Sequence, residues 1–178
     1  MKYDFKRLSI PDLILVSPKI YGDERGFFYE LYKESVFIEN GVTTKFVQDN
    51  ISFSKQNVIR GLHYQSNPKA QAKLVSVITG EIFDVAVDIR KDSATFGKWV
   101  GETLSENNRK SLFIPEGFAH GFCVTSDTAT VIYKVSNEYS PENERGIIWN
   151  DSTISINWPV ENPTVTERDA KFPPLNSL

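Results

Sequence analysis

The chain has 178 residues, 40% hydrophobic and 24% charged, with a formal net charge of -3 and one cysteine. That length suits one domain, 1–178, with a sizeable core. The acid excess argues against a broad nucleic-acid surface, which needs basic residues, but leaves room for a small basic pocket that takes one phosphorylated ligand.

No run approaches the roughly 20 apolar residues that span a bilayer, and the charged start MKYDFKR has no signal-peptide core. Cys123 alone offers neither an internal disulfide nor a thiolate metal cluster. A cytoplasmic protein with no membrane partner is expected.

Strand signals dominate in chain order. LILVSPKIY, Leu13 to Tyr21, is short and β-branched and ends at the turn-like GDERG. One helix is expected, from about Lys33 to Asn40, with Gly41 as its stop. KFVQDNISFS, VIRGLHYQ and KLVSVITGEIFDVAVDIR follow as strands. In the last of these, Thr79-Gly80 between two apolar runs predicts a tight hairpin. Phe83, Val85, Val87 and Ile89 alternate with Asp84, Ala86 and Asp88 at the period of a strand. Further strands read at WVGETLS, SLFIPEG, GFCVTS, ATVIYKVSNEYS and GIIWND. From about Pro159 the chain becomes Pro-rich and irregular. Many short strands with Gly, Pro and Asn punctuation predict an all-β antiparallel sandwich or barrel.

Four positions carry possible chemistry. His63 lies in RGLHYQ and is one of only two histidines; an imidazole, with an ordinary pKa of about 6.5, accepts protons near neutrality. Alone, a strand histidine is more often a packed core residue. Lys73, entering a strand, is either a solvated edge residue or, facing inward near His63, a clamp for an enolate oxygen. Tyr133 shares a strand face with Val131 and Val135, as an inward-pointing residue would. Asp169 is either a surface carboxylate or the group that hydrogen-bonds the far ring nitrogen of His63 and fixes its tautomer. Base, clamp and acid together are what proton abstraction beside a carbonyl requires.

The run Pro115-Glu116-Gly117-Phe118-Ala119-His120-Gly121 resembles the second motif of the cupin superfamily. Metal-binding cupins also carry a His-x-His pair; here that run reads His63-Tyr64-Gln65. Two histidines do not fill a three-ligand site, so no catalytic metal is expected.

FVQDN, RGLHYQ, KLV, TGEIFDVAVDIR, TFGKW, IPEGFAHGF, WND and WP occur in the order seen in the dTDP-4-dehydrorhamnose 3,5-epimerases, and the resemblance runs from about Leu15 to Pro174. It implies a cupin-like jelly roll with a few short peripheral helices, no cofactor, and a homodimer with N-terminal strand exchange. It also implies a dTDP-sugar substrate whose carbons 3 and 5, flanking a 4-keto group, are inverted.

By resemblance, His63 is the base, Asp169 its orienting carboxylate, Lys73 the residue at the keto oxygen, and Tyr133 the opposite-face acid. Arg60 matches a pyrophosphate contact. Strict alternation puts it opposite His63, so a bulge or twist at Gly61 is expected if both serve one ligand. Arg25, Glu30, Gln48 and Asn50 match nucleotide contacts, some made across the subunit boundary by the GDERG loop. Glu144 and Arg168 match further substrate contacts, His120 a substrate-proximal histidine, and Tyr139 the aromatic that stacks on thymine.

Two departures from the family pattern stand out: Arg168 where lysine is common, and Ser140 where a second aromatic is frequent. A single-centre epimerase, an amino-sugar ketoisomerase, a non-catalytic sugar-nucleotide-binding cupin and a metal-dependent cupin oxygenase stay open at this point. RGLHYQ argues against the ketoisomerase. Isotope exchange at carbons 3 and 5 separates the epimerase readings from the binding protein, and a metal assay identifies the oxygenase.

Overall fold

The structure, a computed structural model, describes residues 2–178. In chain order the strands are β1 (Tyr3–Arg7), β2 (Ile14–Pro18), β3 (Tyr21–Asp23), β4 (Gly26–Phe28), β5 (Gln48–Lys55), β6 (Ile59–Gln65) and β7 (Lys73–Thr79). They continue as β8 (Glu81–Asp88), β9 (Trp99–Ser105), β10 (Ser111–Ile114), β11 (Phe118–Val124), β12 (Thr128–Val135) and β13 (Glu144–Gly146).

Two sheets, ordered β1-β2-β10-β7-β12-β5 and β13-β6-β11-β8-β9, face each other, and β3 and β4 form a separate hairpin. Among the described residues every ladder between named strands is antiparallel. This is the expected cupin-like sandwich. Between the sheets lies the main core, in which Leu15, Val75, Val77 and Val131 from one side meet Ile82, Leu104, Phe118 and Phe122 from the other. Among the described residues no helix is long and apolar enough to cross a membrane.

Among the described residues there is one α-helix, α1 (Glu34–Glu39), which matches the expected segment, and Gly41 ends it at φ +91°. Phe37 anchors α1, with its ring packed edge-on against Tyr3, Phe5 and Tyr32. Residues beyond β13 do not form the strand that GIIWND suggested. Ile147 still exchanges backbone hydrogen bonds with Leu62, but the Ile148 N–H then turns to the Pro173 carbonyl. From there the segment covers the outer face of the five-stranded sheet, where Ile147, Ile154 and Leu175 bury Leu62, Val85 and Val87.

Thr79-Gly80 does not close a hairpin. β7 pairs with β10 and β12, whereas β8 pairs with β11 and β9, so this turn crosses from one sheet to the other. Gly80 has φ +77°, and a Cβ there would stand 2.0 Å from the Thr128 carbonyl oxygen, so only glycine fits the corner. The crossing also changes how the β8 alternation reads. Val85 and Val87 face the outer C-terminal layer, while Ile82 and Ala86 join the core between the sheets. Asp84, on the face of Ile82 and Ala86, is fully buried.

Candidate active site

A cleft opens between the sheets as two adjoining hollows of about 260 and 200 Å³, both lined by His63, Lys73, Tyr133 and Glu144. Together they fall in the range of small-molecule sites. Gln48, Asn50 and Tyr139 line the outer hollow, and Arg60, His120 and Arg168 the inner one.

A bulge on β6 makes this convergence possible. Against β11, His63 pairs with His120 but Arg60 pairs with Phe122, so β6 holds one residue more than its partner over this stretch. Leu62 turns out into the C-terminal layer, and Arg60 and His63 both turn into the cleft. Gly61 adopts φ +139°, and a Cβ there would lie 2.5 Å from the Gly121 Cα. The bulge expected at Gly61 is present, and glycine is what the close strand approach requires.

Asp169, 2% exposed, sits behind His63. Its Oδ2 accepts from His63 Nε2–H at 3.0 Å and from the Gly61 N–H at 3.3 Å. Its Oδ1 accepts from Arg168 Nε–H at 3.1 Å. Burial alone would raise this carboxyl; the His63 hydrogen bond and charge, the Gly61 N–H and Arg168 overcome it and hold the pKa at about 2. Asp169 is therefore a permanent acceptor near neutral pH. With Nε2 given to it, a neutral His63 keeps its lone pair on Nδ1. Arg168 Nη2 also lies 3.3 Å from His63 Nε2, but arginine only donates, so this is a close approach of two donors and not a second hydrogen bond.

Lys73, at the start of β7, points inward with its residue 8% exposed. Its Nζ donates to the His63 carbonyl at 3.4 Å. Burial pushes its pKa down to about 8, and the negative charges of Asp84 and Glu144 limit the fall. Tyr133 comes from β12 on the opposite sheet, inward like Val131, with Asn50 as its register partner. Burial raises its pKa, Arg60 works against the rise and Glu144 adds to it, so the phenol stays protonated at neutral pH.

The outer rim is tied together by Glu144, whose Oε2 accepts from Arg168 at 2.9 Å and from the Tyr139 hydroxyl at 2.8 Å. Gln48 Oε1 accepts from the Tyr139 N–H at 3.0 Å, and its amide donates to Asn50 at 2.8 Å. Arg60 reaches β5, donating to Ser54 Oγ at 2.8 Å. His120 Nε2 lies 2.7 Å from Asp84 Oδ1.

Eleven of the thirteen sequence-derived site residues thus meet around one cleft: ten line it, and Asp169 stands directly behind His63. Arg25 and Glu30 do not line it in this chain. Arg25, 85% exposed, pairs with Asp23 on the β3–β4 hairpin, and Glu30 pairs with Lys2 at 3.1 Å. Sequence reasoning missed Asp84 as a site residue. Its signal was a charge in the middle of an apolar strand, a place where an aspartate needs a buried partner. It also missed Gln65, which donates to the Lys69 and Glu138 carbonyls and accepts from the Ser140 N–H.

Residues 7–177 match the family model for dTDP-4-dehydrorhamnose 3,5-epimerase. The chain is 57% identical over 164 residues to the dTDP-4-dehydrorhamnose 3,5-epimerase of Shigella flexneri, covering 92% of this chain and 91% of that one. It is 52% identical to the enzyme of that name from Salmonella typhimurium, over 96% and 94% of the two chains. The fold superposes with a TM-score of 0.95 on a dTDP-6-deoxy-D-glucose-3,5-epimerase from Legionella pneumophila Philadelphia 1, solved with dTDP-4-keto-L-rhamnose. That structure is 49% identical, and the match covers 98% of this chain and 93% of that one.

Proposed function

The chain belongs to the dTDP-4-dehydrorhamnose 3,5-epimerase family, and we propose that it converts dTDP-4-dehydro-6-deoxy-D-glucose to dTDP-4-dehydro-L-rhamnose, the step that supplies dTDP-L-rhamnose synthesis. Hydrogens on carbons 3 and 5 are acidified by the 4-keto group between them. His63 Nδ1 takes one, the Lys73 ammonium stabilises the enolate oxygen, and Tyr133 returns a proton to the opposite face. The enolate collapses to the ketone with that carbon inverted, leaving an imidazolium and a phenolate. Solvent takes the His63 proton and reprotonates Tyr133, and the same groups then act on the second carbon.

The observation that carries this reading is the placement of base and acid. His63 projects from the five-stranded sheet and Tyr133 from the six-stranded sheet, into one cleft. A sugar ring between the sheets would meet them on opposite faces. Lys73 lies in the same cleft, its charge supported by Asp84 and Glu144. Arg60 and Arg168 supply forked donors for the diphosphate, and the flat Tyr139 ring a stacking surface for the base.

The protein acts as a homodimer in the cytoplasm. Support for the dimer comes from the six-stranded sheet, whose edge strand β5 turns Ile51 and Phe53 outward, 69% and 60% exposed. The projecting β3–β4 hairpin carries exposed Phe27 and Phe28 beside Arg25. In the dimer this N-terminal hairpin brings Arg25 and Glu30 to the partner's cleft.

The test is a coupled assay in which substrate made from dTDP-glucose is incubated with the protein, a reductase and NADPH. The expected product is dTDP-L-rhamnose. Intact substrate, or a reduced sugar inverted at one carbon only, refutes the proposal.

A further inference from the structure

Asp84 is fully buried behind His120, which lines the inner hollow. Its two oxygens differ. Oδ1 is 2.7 Å from His120 Nε2, whereas Oδ2 has no hydrogen-bond partner among the described residues. A buried carboxylate oxygen without a donor is costly, so its retention calls for another role. Lys73 lines the same hollow as His120, the partner of Asp84, and its 3.4 Å hydrogen bond to the His63 carbonyl occupies one of three N–H donors.

We propose that Asp84 is a positioning residue that acts through two neighbours at once. It holds His120 as the tautomer protonated on Nε2, which leaves Nδ1 to accept from a sugar hydroxyl. It is also the buried counter-ion that keeps Lys73 charged for the keto oxygen. The inference deepens the epimerase reading and rests on it.

The charges divide accordingly. Burial lowers the pKa of His120; Asp84 raises it by charge and hydrogen bond, and Lys73 and His63 lower it again. The net direction is down, so the ring is neutral near pH 7 and Lys73 is the charged donor beside it. Around Lys73 stand Asp84 from β8, His120 from β11, His63 from β6, Tyr133 from β12 and Glu144 from β13. Arg60 and Arg168 line the same hollow and add positive charge. Only Asp84 and Glu144 offset burial, and Asp84 is the larger influence.

The test begins on wild-type protein without substrate. The chain has two histidines, so 15N spectra of histidine-labelled protein contain two rings, assigned with His120→Gln. The expected result is a neutral His120 protonated on Nε2; a ring protonated on Nδ1, or an imidazolium at pH 7, overturns the proposal.

In Asp84→Asn the ring is expected to lose its single tautomer. The Lys73 titration, assigned with Lys73→Arg, is expected to fall by at least about one pH unit, the effect of losing a close opposite charge. Glu144→Gln is expected to shift it less, and a larger shift in Glu144→Gln than in Asp84→Asn also overturns the proposal. In turnover, Asp84→Asn is expected to lower kcat roughly 100-fold, as misplacement of a reacting geometry does, with KM within about threefold. The alkaline limb of kcat/KM should move down in pH with Lys73. An unmoved limb and an unmoved Lys73 titration refute the counter-ion role. Failure of the epimerase reading looks different: the wild-type spectra would be as expected, but no hydrogen at carbons 3 or 5 would exchange.

Discussion

Replacing Asp169 by asparagine removes the charge behind His63, the proposed base, and leaves the size of the side chain unchanged. The carboxyl lies at about 2 instead of an ordinary 3.8, which at about 1.36 kcal/mol per pH unit corresponds to about 2.5 kcal/mol of net favourable interaction. His63, Gly61 and Arg168 share that sum after burial has been overcome. In the proposed reaction the His63 ring becomes cationic as it takes a proton, and losing the whole interaction in the transition state would slow turnover by roughly 70-fold.

Asparagine does further harm, because its amide N–H can point at Nε2 and drive the ring proton to Nδ1, the nitrogen that must accept. In a serine protease the same exchange behind a catalytic histidine costs about 10⁴ in kcat. For Asp169→Asn the expected loss in kcat is therefore about 10² to 10⁴, with KM within about threefold, read in the reductase-coupled assay. A loss under about tenfold, or one confined to KM, would refute the reasoning. It would mean that His63 does not depend on Asp169 for its tautomer or its charge.

The same carboxyl predicts an acid-stability difference. Its folded pKa lies below the unfolded one, so its stabilisation, on the order of 2.5 kcal/mol, is complete above about pH 4 and fades as pH falls toward 2. Denaturant titrations of wild type and Asp169→Asn should converge over that window, and a gap that stays constant would contradict it. Tyr133→Phe should abolish net inversion while His63 still removes a proton, so solvent exchange should outlast product formation. Unchanged turnover and product ratio would remove Tyr133 as the acid. Gly61→Ala sets a Cβ 2.5 Å from the Gly121 Cα at φ +139°, and should cost about 3 kcal/mol, a fall in Tm of roughly 10 °C; a Tm within about 2 °C of wild type would mean the bulge tolerates a side chain. Phe53→Glu places a charge on the outer face of β5 and should give a monomer by light scattering. A dimer of unchanged mass would place the interface elsewhere.

Much of the architecture was legible because it is written locally. Gly41 ends α1 where the pattern predicts, and the spacing of Arg60 and His63 required the bulge that β6 contains. Tyr133 points inward because alternation with Val131 and Val135 leaves it no other face.

What failed was non-local. Thr79-Gly80 looks the same in sequence whether it closes a hairpin or crosses a sandwich, since sheet membership depends on strands far along the chain. The crossing also inverted the natural reading of β8. The valines face a layer built by residues 147–178, and Asp84, which alternation alone would put toward solvent, ends fully buried against His120, which lines the cleft. β5 misleads in the same way, because its polar residues Gln48 and Asn50 face inward to line the cleft while Ile51 and Phe53 face out. Arg25 and Glu30 could be matched by motif, but in this chain they pair with Asp23 and Lys2 and do not line the cleft.

The most direct test of the account is NMR of the substrate incubated with the protein in deuterium oxide. If His63 and Tyr133 work from opposite walls on both carbons that flank the ketone, deuterium enters at carbon 3 and at carbon 5, and the product has inverted configuration at each. Deuterium at one carbon only, or at neither while the substrate persists, would contradict the central claim.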